Sequence, residues 1–212
     1  MYQCAKCGQV GCKFGDLTKT LPSCPSKDEQ LQEEVKQKYL EEENRKIAYN
    51  AALVEAEGYC QQCRVEETIS FLKKCGYQKI GLVFCVGLQK EAREFVNIME
   101  YHGFEMVSVL CKNGGIPKSV LGITDQQTCH GNCQIESMCN PIGQAETMNK
   151  AGVEFNILLG LCVGHDTLAL KYLKAPTTVL AVKDRVTGHN PLAPIYQAQG
   201  YYKKKLYPPK ND

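Results

Sequence analysis

The stretch KIGLVFCV, residues 79–86, decides the fold. It is a continuous apolar run, the pattern of a strand buried on both faces of a sheet. Helical and extended patterns alternate outward from it. Upstream, residues 63–75 read as a helix with Val65, Ile69 and Leu72 on one face and Gly76 as its stop. Downstream, 88–102 read as a helix turning Ala92, Phe95, Val96 and Met99 inward, and FEMVSVL (104–110) is a second strand. Residues 112–140 are rich in Gly, Asn and Cys and read as irregular in part. Residues 141–151 form a short helix with Pro141 in its first turn. FNILLGL (155–161) is a third strand, 164–173 a helix, and TTVLAV (177–182) a fourth strand. This alternation predicts an α/β fold: a doubly wound, mainly parallel Rossmann-like sheet of about four or more strands. No GxGxxG follows the first strand and no GxxxxGK[ST] occurs, so dinucleotide and P-loop readings have no support.

In such a sheet the C-terminal ends of strands and the N-terminal ends of helices share one edge, and ligands bind there. The sequence sends a set of chemically active residues to that edge. Cys85, Cys111 and Cys162 end strands, and Cys139 precedes the helix over 141–151. Cys60 and Cys63 (CQQC) precede the helix over 63–75. Gly164 permits a sharp turn after Cys162, so His165 and Asp166 open a helix whose N–H groups would face an anion. Lys183, Asp184, Arg185 and His189 follow the fourth strand. Cys75, at a helix C-terminus, falls at the opposite end and reads as inert, and His102 reads as a helix-end residue. A lone cysteine in a strand is usually a small hydrophobe. Three at equivalent strand ends point to a functional crevice.

Composition agrees with sulfur chemistry. The chain has 212 residues, 43% apolar and 23% charged, which predicts a packed core. Its net charge of +2 argues against broad nucleic-acid or membrane binding. Thirteen cysteines, an odd number, make a poor disulfide framework. The N-terminus MYQCAKCGQV lacks the apolar core of a signal peptide, which predicts a cytoplasmic protein with reduced thiols.

Residues 1–27 read as a Cys-rich metal knuckle, 28–58 as one long helix, and 59–212 as the α/β domain with a Cys-lined crevice. The knuckle holds Cys4, Cys7, Cys12 and Cys24 among glycines and prolines, too little apolar matter to fold without a metal. Four such ligands suit a tetrahedral zinc or a four-iron–four-sulfur cluster. Pro25 after Cys24 favours the cluster, as does the single CxxC where zinc ribbons usually carry two.

The blocks GLVFCVGL (81–88), MCNPIGQAE (138–146), NILLGLCVGHD (156–166) and KDRVTGHNP (183–191) resemble an uncharacterised family of prokaryotic Cys-rich proteins described as metal-binding, a domain of unknown function. The resemblance covers nearly the whole chain and implies metal binding without naming a reaction. It marks Cys4, Cys7, Cys12, Cys24, Cys85, Cys111, Cys139 and Cys162 as metal ligands. It also marks His165, Asp166, Lys183, Asp184, Arg185, His189 and Asn190, and its MCNP block contains Asn140. Cys129 and Cys133 (CHGNC) lie outside these blocks, and no ligand role is assigned to them.

Two functions compete. In the first, the chain is an enzyme of redox or sulfur chemistry with one or two iron–sulfur clusters. An open iron would meet a small anionic or sulfur-containing substrate. His165 would donate a proton, held by Asp166 or Asp184, and Lys183 and Arg185 would bind the anion, with His189 beside them. Asn140, Gly164 and Asn190 would line the cofactor, and an electron donor would be the partner protein. In the second, zinc or bare thiols make a metal carrier or redox sensor without catalysis. The concentration of His, Asp, Lys and Arg at the same edge favours the enzyme. The tail YYKKKLYPPK (201–210) could contact nucleic acid, but a short basic terminus is usually solvated.

Overall fold

A computed structural model describes residues 2–129, 131 and 136–209. The chain divides into two compact units, Met1–Gln61 and Gln62–Asp212. The knuckle and the helical segment thus share one unit.

In the first unit, short 3-10 turns carry the knuckle, followed by α1 (Glu29–Leu40) and α2 (Glu42–Gly58). The Asp28 carboxylate caps α1 by accepting the Leu31 N–H. The single helix expected over 28–58 is broken at Glu41, whose ψ of 139° is extended. The cause is local. The Asn44 amide donates to Lys38 O at 3.0 Å and to Glu41 Oε2 at 2.8 Å, taking over a carbonyl at the end of α1. With no Gly or Pro in the segment, composition did not disclose the break.

The second unit runs α3 (Arg64–Cys75), β1 (Lys79–Phe84), α4 (Gln89–Tyr101), β2 (Glu105–Leu110), α5 (Pro141–Ala151), β3 (Phe155–Leu161), α6 (His165–Tyr172) and β4 (Thr177–Val182), then short helices α7 (Ala193–Tyr196) and α8 (Lys203–Leu206). The four strands form one parallel sheet in the order β2-β1-β3-β4. The winding reverses between β1 and β3, so the fold is doubly wound and its switch point lies between their C-terminal ends.

Strand alternation gives each face its own core. Ile80, Leu82, Phe84, Ile157 and Leu159 pack with Leu72, Phe95 and Met99 on one side. Val83 and Leu158 pack with Met148 and Ala169 on the other, and Cys85 and Cys111 belong to that second cluster. Cys75 is buried in the first, away from these two thiols. The segment between β2 and α5 is irregular, as expected. Its described part makes 3-10 turns at Asn113–Gly115, Lys118–Leu121 and Asp125–Gln127. A bridge between Pro117 and Ser137 and the Lys118–Glu136 ion pair at 2.6 Å close its base. Cys133 lies outside the described residues.

One irregularity shapes the site. The β3–β4 register shifts on both sides of Leu159, and Gly160 takes φ +66° inside the strand. A Cβ there would run into the Leu88 side chain and lie 3.9 Å from Lys183 Cε. The bulge therefore lets Leu88 and Lys183 pass over β3. We expect Gly160→Ala to lose about 1–3 kcal/mol from backbone strain and the collision. A urea midpoint lowered at constant slope would show this, and an unchanged midpoint would contradict it.

A candidate thiolate site at the carboxyl edge of the sheet

Register brings the first two thiols together. Phe84 and Leu110 are partners across β1 and β2, so the next residues, Cys85 and Cys111, leave adjacent strands side by side. The ladder continues through them: Cys85 N–H donates to Leu159 O at 3.1 Å and Cys111 N–H to Phe84 O at 2.9 Å. Both side chains are buried. Asn140 N–H donates to Cys111 O at 2.7 Å, which pins the entry to α5 onto the end of β2 and sets Cys139 against Cys111. The Cys111 thiol hydrogen-bonds to the sulfurs of both Cys85 and Cys139.

Backbone donors and cations complete this group. Val86 N–H donates to Cys111 Sγ at 3.3 Å, and Gly87 N–H donates to the Cys85 sulfur. A Cβ on Gly87 would stand 3.4 Å from Lys183 Nζ and 3.9 Å from Cys85 Sγ. Glycine thus leaves room for the ammonium to approach the thiol. Cys162, at the end of β3, accepts from Arg185 Nη2 at 3.3 Å. The charges of His165 and Lys112 act on Cys139. The hydrogen bond from Cys111, with help from Gly87 and Lys183, outweighs burial and brings Cys85 down to about 5. The Cys111 bond likewise brings Cys139 down to about 6, with His165 and Lys112 assisting. Cys111 itself is pushed up by the two neighbours it serves and by burial, and stays protonated.

The other anticipated site residues are engaged in shaping loops. Gly164 does take a positive φ of 83° and His165 does open α6. The expected anion cradle is not available, however. His165 N–H and Asp166 N–H both donate to Cys162 O, at 3.0 and 3.1 Å, and Thr167 N–H donates to Asp166 Oδ1 at 2.7 Å. Neither carboxylate read as a support for His165 is hydrogen-bonded to it. Asp184 Oδ1 accepts from Val186 and Thr187 N–H at 2.9 and 3.0 Å, and those bonds hold its carboxyl below the usual range. His189 Nδ1 accepts from Asp184 N–H at 3.1 Å, and Asn190 Oδ1 from Leu192 N–H at 3.2 Å. Asn140 caps α5 through Gly143 N–H at 2.9 Å and bonds to Asn113. Lys183 and Arg185, expected to bind a substrate anion, lie against thiols instead. Lys112 and Gly87 were not anticipated. Their signal is position: each sits within two residues of a strand-end cysteine.

In the first unit, Cys4, Cys7 and Cys24 line a small cavity of about 40 Å³ with Leu21 and Pro25. Ser26, through its hydroxyl and N–H, holds the Cys24 thiol below its ordinary value. Cys12, in the turn Gly11–Phe14, does not line that cavity. Cys63 caps α3, exchanging hydrogen bonds with Glu66, while Cys129 receives Lys118 Nζ at 3.6 Å. Among the described residues, no three His, Cys, Asp or Glu side chains are disposed as a metal ion requires. The donor types at the sheet edge and in the knuckle suit a soft metal. At the edge, Cys111 is hydrogen-bonded to Cys85 and Cys139, so the three sulfurs would have to part to surround an ion.

These assignments fix a pH profile for the metal-free protein. Iodoacetamide should label Cys85 with a midpoint near pH 5 and Cys139 near pH 6, and leave Cys111 intact at neutral pH, as read by peptide mass spectrometry. Lys183→Ala should move the Cys85 midpoint upward. The linked stability follows in sign. Cys85 and Cys139 are lowered from 9.0, so the unfolded chain binds more protons between about pH 5 and 9 and stability rises with pH there. Above pH 9 the raised Cys111 reverses the slope. Equal labelling of all three thiols at pH 7 would refute the assignment.

No helix among the described residues is long and apolar enough to cross a membrane. A family profile described as "Protein of unknown function (DUF1847)" matches residues 24–180. That span contains Cys85, Cys111, Cys139 and Cys162, and it ends before Lys183. The "Uncharacterized protein MJ0455" of Methanocaldococcus jannaschii is 44% identical over 204 residues, 96% of this chain and 97% of that protein. No solved structure matches the chain significantly. Profile and relative together establish that the chain belongs to the DUF1847 family, a family whose function is not known.

Proposed function

We propose that this chain is a metal–thiolate enzyme of redox or sulfur chemistry, acting on a small anionic or sulfur-containing substrate. The observation that carries this reading is the contact of three thiols from three separate elements, Cys85, Cys111 and Cys139, at the carboxyl edge of a doubly wound sheet. Cys162 stands at the end of the next strand. An iron–sulfur cluster held by Cys85, Cys111 and Cys139 would supply electrons and an iron with an open coordination position.

The protein's own groups prepare for such a centre. Cys85 and Cys139 are thiolates at neutral pH and need no base to become ligands. Cys111 must give up one proton. Lys183 and Arg185 now lie against the sulfurs of Cys85 and Cys162; once a soft cation occupies those sulfurs, both are free to hold a substrate anion. His165, whose charge acts on Cys139, is the imidazole placed to hold or pass a proton beside the thiols. The knuckle cysteines Cys4, Cys7, Cys12 and Cys24 would bind a second metal, iron–sulfur or zinc, that orders the N-terminal segment. An electron-donor protein would be the partner of a redox cycle.

The low value of Cys85 also supports a second reading, a thiol-based carrier or redox sensor, in which Cys85 is the reactive nucleophile and no metal is needed. Anaerobic purification separates the two. The enzyme reading expects brown protein absorbing near ~400 nm, with iron and sulfide in equal number. Cys85→Ser, Cys111→Ser and Cys139→Ser should each remove the crevice share of that iron, and Cys7→Ser only the knuckle share. Colourless protein with every cysteine titratable as a free thiol would overturn the metal reading and leave the second.

A further inference from the structure

Gln144, the fourth residue of α5, is completely buried between apolar neighbours Ala145 and Met148. Its Nε2 group donates to Phe84 O at 3.1 Å and to Val109 O at 2.6 Å. Both partners are acceptors, so the amide orientation is fixed: nitrogen toward the strands, oxygen away from them. Oε1 has no hydrogen-bond partner despite its burial. A methionine or leucine here would avoid that unsatisfied oxygen at similar volume, and leaving a buried polar atom unpaired is costly. Packing alone therefore gives no reason for glutamine at this position.

The donor half gives the reason. Phe84 immediately precedes Cys85, and Val109 lies two residues before Cys111. The two N–H groups of one amide thus tie β1 to β2 at the level where their cysteines leave the sheet. The bond to Phe84 O is shared with Cys111 N–H, so the same carbonyl receives both the strand ladder and the helix. Helix α5 is capped by Asn140, which follows Cys139 and whose own N–H is pinned to Cys111 O. A single rigid helix then carries the third thiol at one end of its first turn and the clamp for the other two at the next.

We infer that Gln144 is the positioning residue of the thiol site, holding Cys85 and Cys111 at contact distance and locking Cys139 to them through α5. It does not touch substrate. The inference concerns the arrangement of the thiols and rests on the proposed function only where metal affinity is measured.

The test uses full-length protein carrying Gln144→Met or Gln144→Leu. In the metal-free state, alkylation of Cys85 and Cys111 by iodoacetamide is followed by mass spectrometry, with exposed Cys129 as internal reference. Loss of the clamp should accelerate Cys85 about tenfold relative to Cys129, the equivalent of one lost hydrogen-bonding interaction, and admit label at Cys111, which stays intact in the wild type at neutral pH. Cobalt(II) titration, read by its thiolate charge-transfer band, should show about tenfold weaker binding and a shifted band, with the far-ultraviolet circular dichroism unchanged. Wild-type alkylation rates in a folded variant would overturn the inference and reveal Gln144 as core packing. Cobalt failing to bind wild-type protein would instead overturn the metal reading and leave the alkylation arm standing. Should neither variant fold, the wild-type side-chain amide decides by NMR: slow exchange of both Nε2 protons is expected, and rapid exchange refutes the clamp.

Discussion

The rest of this structure depends on β1 being hydrogen-bonded along both edges, to β2 on one side and β3 on the other. A strand in that position must be apolar on both faces, which is why KIGLVFCV has no alternation. Its two neighbours come from opposite windings of the chain, so their C-terminal ends must diverge into separate loops. The crevice between those loops is a consequence of topology and would exist for any side chains. What this sequence adds is a cysteine just past the end of each of three adjacent strands, β2, β1 and β3. Because pairing is parallel and in register, Cys85 and Cys111 are set side by side by the backbone ladder itself.

Much of this was legible in the residues. Four apolar runs, their helical spacers and the stop at Gly76 gave the elements of the second unit to within a residue or two. Strand ends pointed to Cys85, Cys111 and Cys162 as neighbours, with Cys139 sent to the same edge by its helix; the structure sets Cys139 against Cys111 and leaves Cys162 with Arg185. Other features were hidden for identifiable reasons. The break at Glu41 depends on an Asn44 side chain competing for a backbone carbonyl, which no local composition reveals. The bulge at Gly160 depends on Leu88, distant in sequence, needing room over β3. Reading GHD and KDR as substrate-binding blocks missed that backbone donors and side chains are first consumed by the loop that carries them. Asp184 closes its own turn, and the first N–H groups of α6 close onto Cys162 O.

The distribution of cations is the more instructive departure. Lys183 faces Cys85, Arg185 faces Cys162, and Lys112 with His165 acts on Cys139. Cys111, set among the other two thiols and a backbone N–H, is the one of the three that is pushed up and stays protonated. Two thiolates on either side of one thiol is the arrangement that keeps three sulfurs in contact without three adjacent negative charges. It also stores the site in a form in which two of the three sulfurs are already ionised.

Such an arrangement is only useful if the three sulfurs cannot drift apart, and sulfur-centred hydrogen bonds are too weak to ensure that. The spacing must come from the scaffold. The ladder holds Cys85 and Cys111 through their own N–H groups, but it ends with them and does not constrain their side chains. Helix α5 reaches both strand ends through Gln144, and the Asn140 that caps it follows Cys139 directly and is bonded to Cys111 O. The cost of an unpaired buried oxygen on Gln144 is then the cost of rigidity at the sheet edge. A metal, or a nucleophile held beside its resolving thiol, requires that rigidity equally, so the scaffold argument holds whichever chemistry the thiols perform.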